Sequence, residues 1–142
     1  MKTIRIGSGA GYSGDRLEPA LALMEHGDIH YIIFECLAER TIALAQLQKA
    51  ADPNIGYNEL LSYRMQRVLP LCAAKKIKVI TNMGAANPRA ALQMVKQIAR
   101  SLGLASGRDQ VGDPHDLLHE FNPALVPRDP VELSGGVVRY EL

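Results

Sequence analysis

The sequence predicts an α/β protein built on a three-layer, Rossmann-like parallel sheet. Short β-branched runs alternate with longer stretches of helical periodicity, the order expected when crossover helices join parallel strands. Residues 29–35, Ile-His-Tyr-Ile-Ile-Phe-Glu, form an almost continuous apolar run, which is typical of a strand buried on both faces. The alternative is the first part of a (β/α)-barrel, because that fold uses the same alternation.

The first half of the chain contains two predicted strands and two predicted helices. Residues 3–6 form the first strand, and residues 29–35 form the second. Residues 16–26 form a helix that ends at Gly27. Its predicted buried face consists of Leu17, Ala20, Leu21 and Met24. Residues 38–51 form the second helix. Its predicted apolar face consists of Ile42, Ala45, Leu47 and Ala50.

Residues 58–102 contain two more predicted helices and a third predicted strand. Residues 58–75 are helical, and Pro70 inside them predicts a kink or a split. The apolar face of this helix is Leu61, Met65, Val68 and Cys72. Residues 77–81 form the third strand. Asn87 is the predicted cap and Pro88 the first residue of the last helix. The apolar face of that helix is Ala91, Val95, Ile98 and Leu102.

Residues 105–142 differ in character from the rest. Glycines and prolines are scattered through residues 105–135 without periodicity, and only residues 136–141 resemble a strand. An irregular segment of about 30 residues is unusual inside a compact domain. We therefore expect an α/β domain over residues 1–104, followed by a divergent tail that is weakly structured or needs a partner.

Composition excludes several classes of function. The formal net charge of the 142 residues is +1, and no basic stripe with interleaved aromatic residues is visible, so nucleic acid is not an expected partner. No apolar run approaches the length of a membrane span, and no signal peptide is visible. Cys36 and Cys72 have no close metal-binding spacing, which favours reduced thiols in a cytoplasmic protein.

A glycine-rich loop follows the first predicted strand. It contains Gly7, Gly9, Gly11 and Gly14, and the last three satisfy the pattern G-x-G-x-x-G. Glycine lets the backbone take positive φ values and approach a ligand closely, and the next helix N-terminus attracts anions. Together with Arg16, these glycines are the predicted cofactor-binding residues, although the sequence does not identify the cofactor. A tight turn with close packing is the alternative.

Polar side chains follow all three predicted strands, and parallel strands end at one edge of a sheet. Asp15 and Glu35 are the expected acid/base pair, and Asn82 is expected to orient a substrate carbonyl or hydroxyl. Glu35 lies 21 positions after Gly14, close to the spacing of a ribose-binding acid. The alternative for Glu35 is an ion pair with Arg40 or Arg16.

Asp15, Cys36 and the histidines each have a more ordinary interpretation than a catalytic or metal-binding role. Asp15 would repel a pyrophosphate, which disfavours a plain dehydrogenase; it could instead cap the helix or hold a cation. Cys36 could be a nucleophile, although a buried thiol is commoner. His115 and His119 are spaced to share a helical face, but no third ligand accompanies them, so no metal site is predicted.

Three blocks of this sequence resemble one known family. They are IGSGAGYSGDR at residues 6–16, FECLAERT at 34–41 and TNMGAANPRA at 81–90. These blocks resemble the acyclic terpene utilisation family of the AtuA type, and the resemblance covers residues 3–104. It implies a role in bacterial catabolism of terpenes such as citronellol and geraniol, which proceeds through acyl-CoA thioesters. It implies a pathway and not a reaction, and the family's proteins are several times longer than this chain.

Two functions follow from these observations. The first is an enzyme, or an enzyme's N-terminal domain, that acts on a small-molecule substrate such as an acyl-CoA or a nucleotide. The second is a non-catalytic ligand-binding or scaffold subunit, or a truncated remnant that has lost its chemistry. Exposed edges of a three-stranded sheet also favour a homo-oligomer.

Overall fold

The computed structural model describes residues 3–104, and the predictions for residues 105–142 lie outside that range. Three strands, β1 (Ile6–Ala10), β2 (Tyr31–Phe34) and β3 (Lys78–Thr81), form one parallel sheet in the order β1-β2-β3. The four helices are α1 (Glu18–His26), α2 (Glu39–Ala51), α3 (Leu61–Lys75) and α4 (Pro88–Ser101). This architecture confirms the predicted α/β class with a Rossmann-like parallel sheet.

Strand β1 lies further along the chain than predicted. It begins at Ile6, where the predicted strand ends, and it includes Gly7 and Gly9. The register pairs Ile6 with Tyr31 and then shifts after Ser8, so that Ala10 pairs with Phe34. Two of the four predicted loop glycines are therefore strand residues.

Close packing explains the glycines of β1. A Cβ added at Gly7 would lie 2.6 Å from a methyl carbon of Leu23, and one at Gly9 would lie 2.8 Å from the Phe34 ring. Both distances are far shorter than a van der Waals contact. Positive φ is not the reason, because the described glycines with positive φ are Gly56 and Gly103. The expectation that the glycine-rich loop uses positive φ is therefore wrong.

Strand β2 is buried on one face rather than on two. Ile32 and Phe34 are fully buried, whereas Tyr31 and Ile33 between them are only half-buried. Val79 and Thr81 of β3 are buried in the same register as Ile32 and Phe34. The prediction of burial on both faces is wrong, because an apolar run reports hydrophobicity and not which neighbours cover each side.

Helices α1, α3 and α4 close the core as predicted. Ala20 and Met24 of α1, and Ala91, Val95 and Ile98 of α4, are buried. The side chain of Asn87 accepts a hydrogen bond from the Ala90 N–H, which confirms the predicted cap. Helix α3 runs through the exposed Pro70 without interruption, so the predicted split is wrong.

Helix α2 departs furthest from its predicted packing. Ala45 is the buried residue of this helix, and Leu47 of the predicted apolar face is 69% exposed. The backbone of α2 instead packs closely against the loop that follows it. A Cβ added at Gly56 in that loop would lie only 2.7 Å from the Ala45 carbonyl oxygen. The position of α2 leaves a space between it and the carboxyl ends of the strands.

Candidate functional site

A cleft of about 350 Å³ lies at the carboxyl edge of the sheet. Parts of all three strand-end loops line it, together with α2 and the segment before α3. Its polar lining residues are Ser13, Cys36, Thr41, Gln48, Asn58, Glu59 and Asn82. Leu37, Leu44, Tyr57 and Leu60 are its larger apolar lining residues. This arrangement suits a small ligand that is largely apolar and has one polar end.

The predicted residues Glu35 and Asn82 meet at this edge. The Asn82 Nδ2 donates to Glu35 Oε1 over 2.7 Å, and the Asn82 Oδ1 accepts from the Cys36 N–H over 2.7 Å. The Leu37 N–H also donates to Glu35 Oε1, at 3.1 Å. Both functional atoms of the Asn82 amide are thus engaged with the end of β2. Asn82 orients Glu35 in this structure, whereas the sequence predicts that it orients the substrate.

Asp15 is turned into its own loop. Its Oδ2 accepts from the Gly11 N–H and its Oδ1 from the Arg16 N–H, both at 2.9 Å. The hydrogen bond from Gly11 is the main reason that the pKa of Asp15 lies below its usual value, and the bond from Arg16 adds to it. Helix α1 begins at Glu18 with Leu17 as its cap residue, so the alternative in which Asp15 caps the helix is wrong.

The glycine-rich segment therefore has two parts with different roles. Gly7 and Gly9 lie in β1 and pack against Leu23 and Phe34, and neither lines the cleft. Gly11 and Gly14 form the exposed turn, and Gly14 lines the cleft. The Asp15 carboxylate occupies the Gly11 N–H that a ligand phosphate would use. Arg16 is exposed and lies 3.6 Å from Glu18, and the structure places it outside the cleft lining.

The alternative ion pair of Glu35 is not formed. Among residues 3–104, no basic side chain lies within 4.0 Å of the Glu35 carboxylate, and Arg16 pairs with Glu18 instead. Glu35 is exposed at the end of β2, held through Oε1. Glu35 itself is outside the cleft lining, and its hydrogen-bond partner Asn82 and its neighbour Cys36 are part of that lining.

Arg64 is a functional candidate that the sequence analysis does not predict. It is 1% exposed, and its Nη2 donates to the backbone oxygens of Ser13 at 3.0 Å and Asp15 at 2.8 Å. Its Nη1 donates to the Cys36 Sγ at 2.9 Å. The sequence signal was its position on the apolar face of α3, three residues after Leu61 and four before Val68. A charged residue at such a position needs buried partners.

The two cysteines are both buried and both reduced. Burial raises the pKa of the Cys36 thiol, while the adjacent Arg64 opposes that rise. Burial alone raises the pKa of the Cys72 thiol to about 12. Cys72 belongs to the apolar face of α3, as predicted. Cys36 lines the cleft and is buried with a raised pKa, which agrees with the commoner, buried-thiol interpretation of this residue.

We also searched residues 3–104 for a metal site, a membrane-spanning helix and a second cavity. No group of three or more His, Cys, Asp or Glu side chains within residues 3–104 is arranged to hold a metal. None of the helices between those residues combines the length and hydropathy needed to span a membrane. A second hollow of about 320 Å³ lies at the opposite edge, near Ile29 and Ile77, where Lys75 donates to the Glu25 carbonyl. His115 and His119 lie outside the described residues.

Comparison with known proteins identifies one relationship. Residues 4–112 match a family model described as "Acyclic terpene utilisation family protein AtuA". No curated protein and no solved structure matches the chain. The match includes all three strand-end loops of the cleft and extends past residue 104, and the division of the chain at that residue stays a prediction.

Proposed function

The chain belongs to the AtuA family of acyclic terpene utilisation proteins, and on that premise we propose that its cleft binds an acyclic terpenoid or acyl substrate. We further propose that Glu35 moves a proton to or from that substrate. The observation that carries the proposal is the Asn82–Glu35 hydrogen bond at 2.7 Å, which fixes a carboxylate at the edge of a partly apolar cleft.

The cleft matches the chemistry of such a substrate. Leu37, Leu44 and Leu60 offer an apolar wall for a branched hydrocarbon chain, and burying it from water supplies the main driving force. Asn58 donates to the Ser13 hydroxyl at 2.8 Å on the polar side, where a carbonyl or hydroxyl of the substrate would be received. The shape supports a ligand with one polar end, in line with the family's description.

The negative charges around the cleft favour binding of the uncharged part of the ligand over binding of its phosphates. The Asp15 carboxylate already occupies the Gly11 N–H, and Glu35 and Glu59 add negative charge near the cleft. A phosphate at the exposed glycine turn would be repelled by Asp15. In the proposal, the acyl or alcohol end enters the cleft, and the phosphates of a CoA thioester stay outside it. Asp15 supports the loop, and Glu35 is the proton-transfer group.

Binding and proton transfer are tested separately on the full chain. Citronellol, a branched acyl-CoA, free CoA and NAD(P) are titrated against ¹⁵N-labelled protein, with amide shifts expected near Gly14, Glu35 and Asn82 for the first two. Proton transfer is followed by mass spectrometry, as solvent deuterium incorporated beside the carbonyl of the acyl thioester. Glu35→Gln keeps the acceptor for Asn82 and removes the titratable group, so exchange is expected to fall by about 10²–10⁴-fold with binding retained.

Glu39→Gln is the matched control. Glu39 lies in the first turn of α2, exposed and outside the cleft lining, and its variant is expected to keep both binding and exchange. An absence of shifts near the cleft with either terpenoid probe would show that the binding proposal is wrong. Binding with the same deuterium exchange in Glu35→Gln as in the wild type would favour the non-catalytic subunit instead.

A further inference from the structure

Arg64 is a buried cation whose hydrogen-bond partners in the described part of the chain are uncharged groups. Its side chain lies on the apolar face of α3 and is 1% exposed. Arginine keeps its charge at any ordinary pH, so this charge is desolvated on folding. No carboxylate of residues 3–104 lies within 4.0 Å of its nitrogens. A buried charge without a close partner costs several kcal/mol, and some compensating interaction is needed.

The groups that compensate this charge come from all three strand-end loops, and the most distant of them is the Met83 Sδ, 3.9 Å from Nη1. Two backbone oxygens, of Ser13 and Asp15, accept from Nη2, and the guanidinium carbon lies 5.9 Å from the centre of the Phe34 ring. The Cys36 Sγ accepts from Nη1 at 2.9 Å. Of the groups in residues 3–104 that accept hydrogen bonds from the Arg64 guanidinium, only the Cys36 thiol can itself become an anion.

The Cys36 side chain lies at the wall of the cleft. Cys36 lines the cavity, and its backbone N–H is bonded to Asn82, which holds Glu35. Arg64 thus contacts the residue next to Glu35, and also the turn that carries Ser13. Through these contacts one guanidinium joins the glycine turn to the end of β2.

We propose that Arg64 is the positioning residue of the cleft and that it acts through Cys36, whose sulfur it holds at the cavity wall and whose thiolate it stabilises. The identity of the ligand rests on the proposed function, but the coupling of Arg64 to Cys36 does not. The charged groups that act on Cys36 are Arg64, which favours the thiolate, and Glu35 and Asp15, which disfavour it together with burial.

Cys72 supplies an internal comparison for the test. Both cysteines are almost fully buried, at 2% exposed for Cys36 and 5% for Cys72, and only Cys36 contacts a cation. With ¹³Cβ-labelled cysteine in the full chain, the pH dependence of both carbons is followed by NMR. Cys36 is expected to ionise at a lower pH than Cys72, although it is the less exposed residue. A Cys36 midpoint at or above that of Cys72 would overturn the proposal.

Two variants separate a charge effect from mere structural support. Arg64→Met keeps an unbranched apolar stem and removes the charge, so the Cys36 midpoint is expected to rise by about one pH unit or more, a tenfold change in ionisation. If Arg64 only holds the loops together, its loss admits water and the midpoint falls instead, which would overturn the proposal. Arg64→Lys keeps the charge and is expected to restore part of the shift.

The folded state and the ligand are monitored in the same samples. Circular dichroism reports whether Arg64→Met folds; where it does not, the wild-type comparison of Cys36 with Cys72 and the Arg64→Lys titration still decide the question. Titration of the wild type with citronellol tests the proposed function independently. A protein that binds no terpenoid but shows the expected Cys36 titration would refute the proposed ligand and support the role of Arg64.

Discussion

Asp15 gives the exposed glycine turn its own anion. Both carboxylate oxygens accept backbone hydrogen bonds, from Gly11 and Arg16, as a phosphate would at a similar turn. The side chain of Asp15 therefore satisfies the backbone N–H groups that a bound phosphate would otherwise accept from. This contact explains how a G-x-G-x-x-G pattern followed by an aspartate forms a stable loop, and it removes the simplest reason to expect a bound pyrophosphate there.

Asp15→Asn is predicted to weaken the folded state in a pH-dependent way. The Gly11 hydrogen bond lowers the folded pKa of Asp15 below its ordinary 3.8, so the carboxylate stabilises the fold above that pH. This contribution falls away as the pH drops through the folded pKa. Urea denaturation at a series of pH values should show the wild type more stable than the variant at pH 7, with the gap closing in acid. A gap that widens in acid would contradict this explanation.

Arg64 shows why one class of site residue escapes prediction from the sequence. Its partners are backbone oxygens of Ser13 and Asp15 and the sulfurs of Cys36 and Met83, between 19 and 51 positions away along the chain. Carbonyl groups are present at every position, so the sequence carries no mark of which ones will accept. By contrast, Glu35 and Asn82 were predictable, because each is a polar residue placed directly after an apolar strand.

At the level of the element, β1 depends on its glycines for packing. The ring of Phe34 and the side chain of Ile32 fill the space beside Gly9, while Gly11 two residues later faces open space. Neither glycine has positive φ, so an alanine at either position is free of backbone strain. The two positions therefore isolate the steric effect of one methyl group.

Gly9→Ala and Gly11→Ala form a matched pair of predictions. The new Cβ of Gly9→Ala would lie 2.8 Å from Phe34 Cε1 and 3.0 Å from Ile32 Cγ1, so overpacking is expected to cost about 1–3 kcal/mol. The nearest atom to the new Cβ of Gly11→Ala is 4.0 Å away, and a change within about 0.5 kcal/mol is expected. Urea unfolding of both variants measures the difference. Equal destabilisation would show that β1 is held by something other than this packing.

Elements with strong local signals were predicted best. Helix α4 has a capping asparagine and a proline at its start, and Ala91, Val95 and Ile98 of its predicted face are buried, whereas Leu102 follows the helix and is exposed. Helix α2 has almost no apolar periodicity, and Leu47 of its predicted apolar face is exposed. The apolar face of a helix shows what can be buried, and the tertiary arrangement decides what is. For β2, the same limit led to the wrong expectation of burial on both faces.

At the scale of the whole molecule, the cleft is built from parts of unequal stability. Its floor is the carboxyl edge of the sheet, and β2 is hydrogen-bonded to a neighbour on each side. One wall is α2, which buries a single residue, Ala45, whereas α3 buries six. Regions with few buried contacts open at a lower free energy than the core does, and binding elements are commonly drawn from them. Of the helices between residues 3 and 104, the one with the fewest buried residues is also the one that lines the cleft.

Native-state hydrogen exchange tests this division. The amides of α2 are predicted to exchange through local opening, well before those of β2 and α3, which require global unfolding. Thr41, Leu44 and Gln48 of α2 line the cleft. Citronellol at saturating concentration is therefore expected to slow amide exchange in α2 directly. The amides of β2 are expected to be protected only by the amount that ligand binding stabilises the whole protein against global unfolding. Exchange in α2 as slow as in α3 without ligand would show that the helix is held by contacts additional to those of residues 3–104. A ligand that protects all elements equally would show that α2 does not open separately from the core.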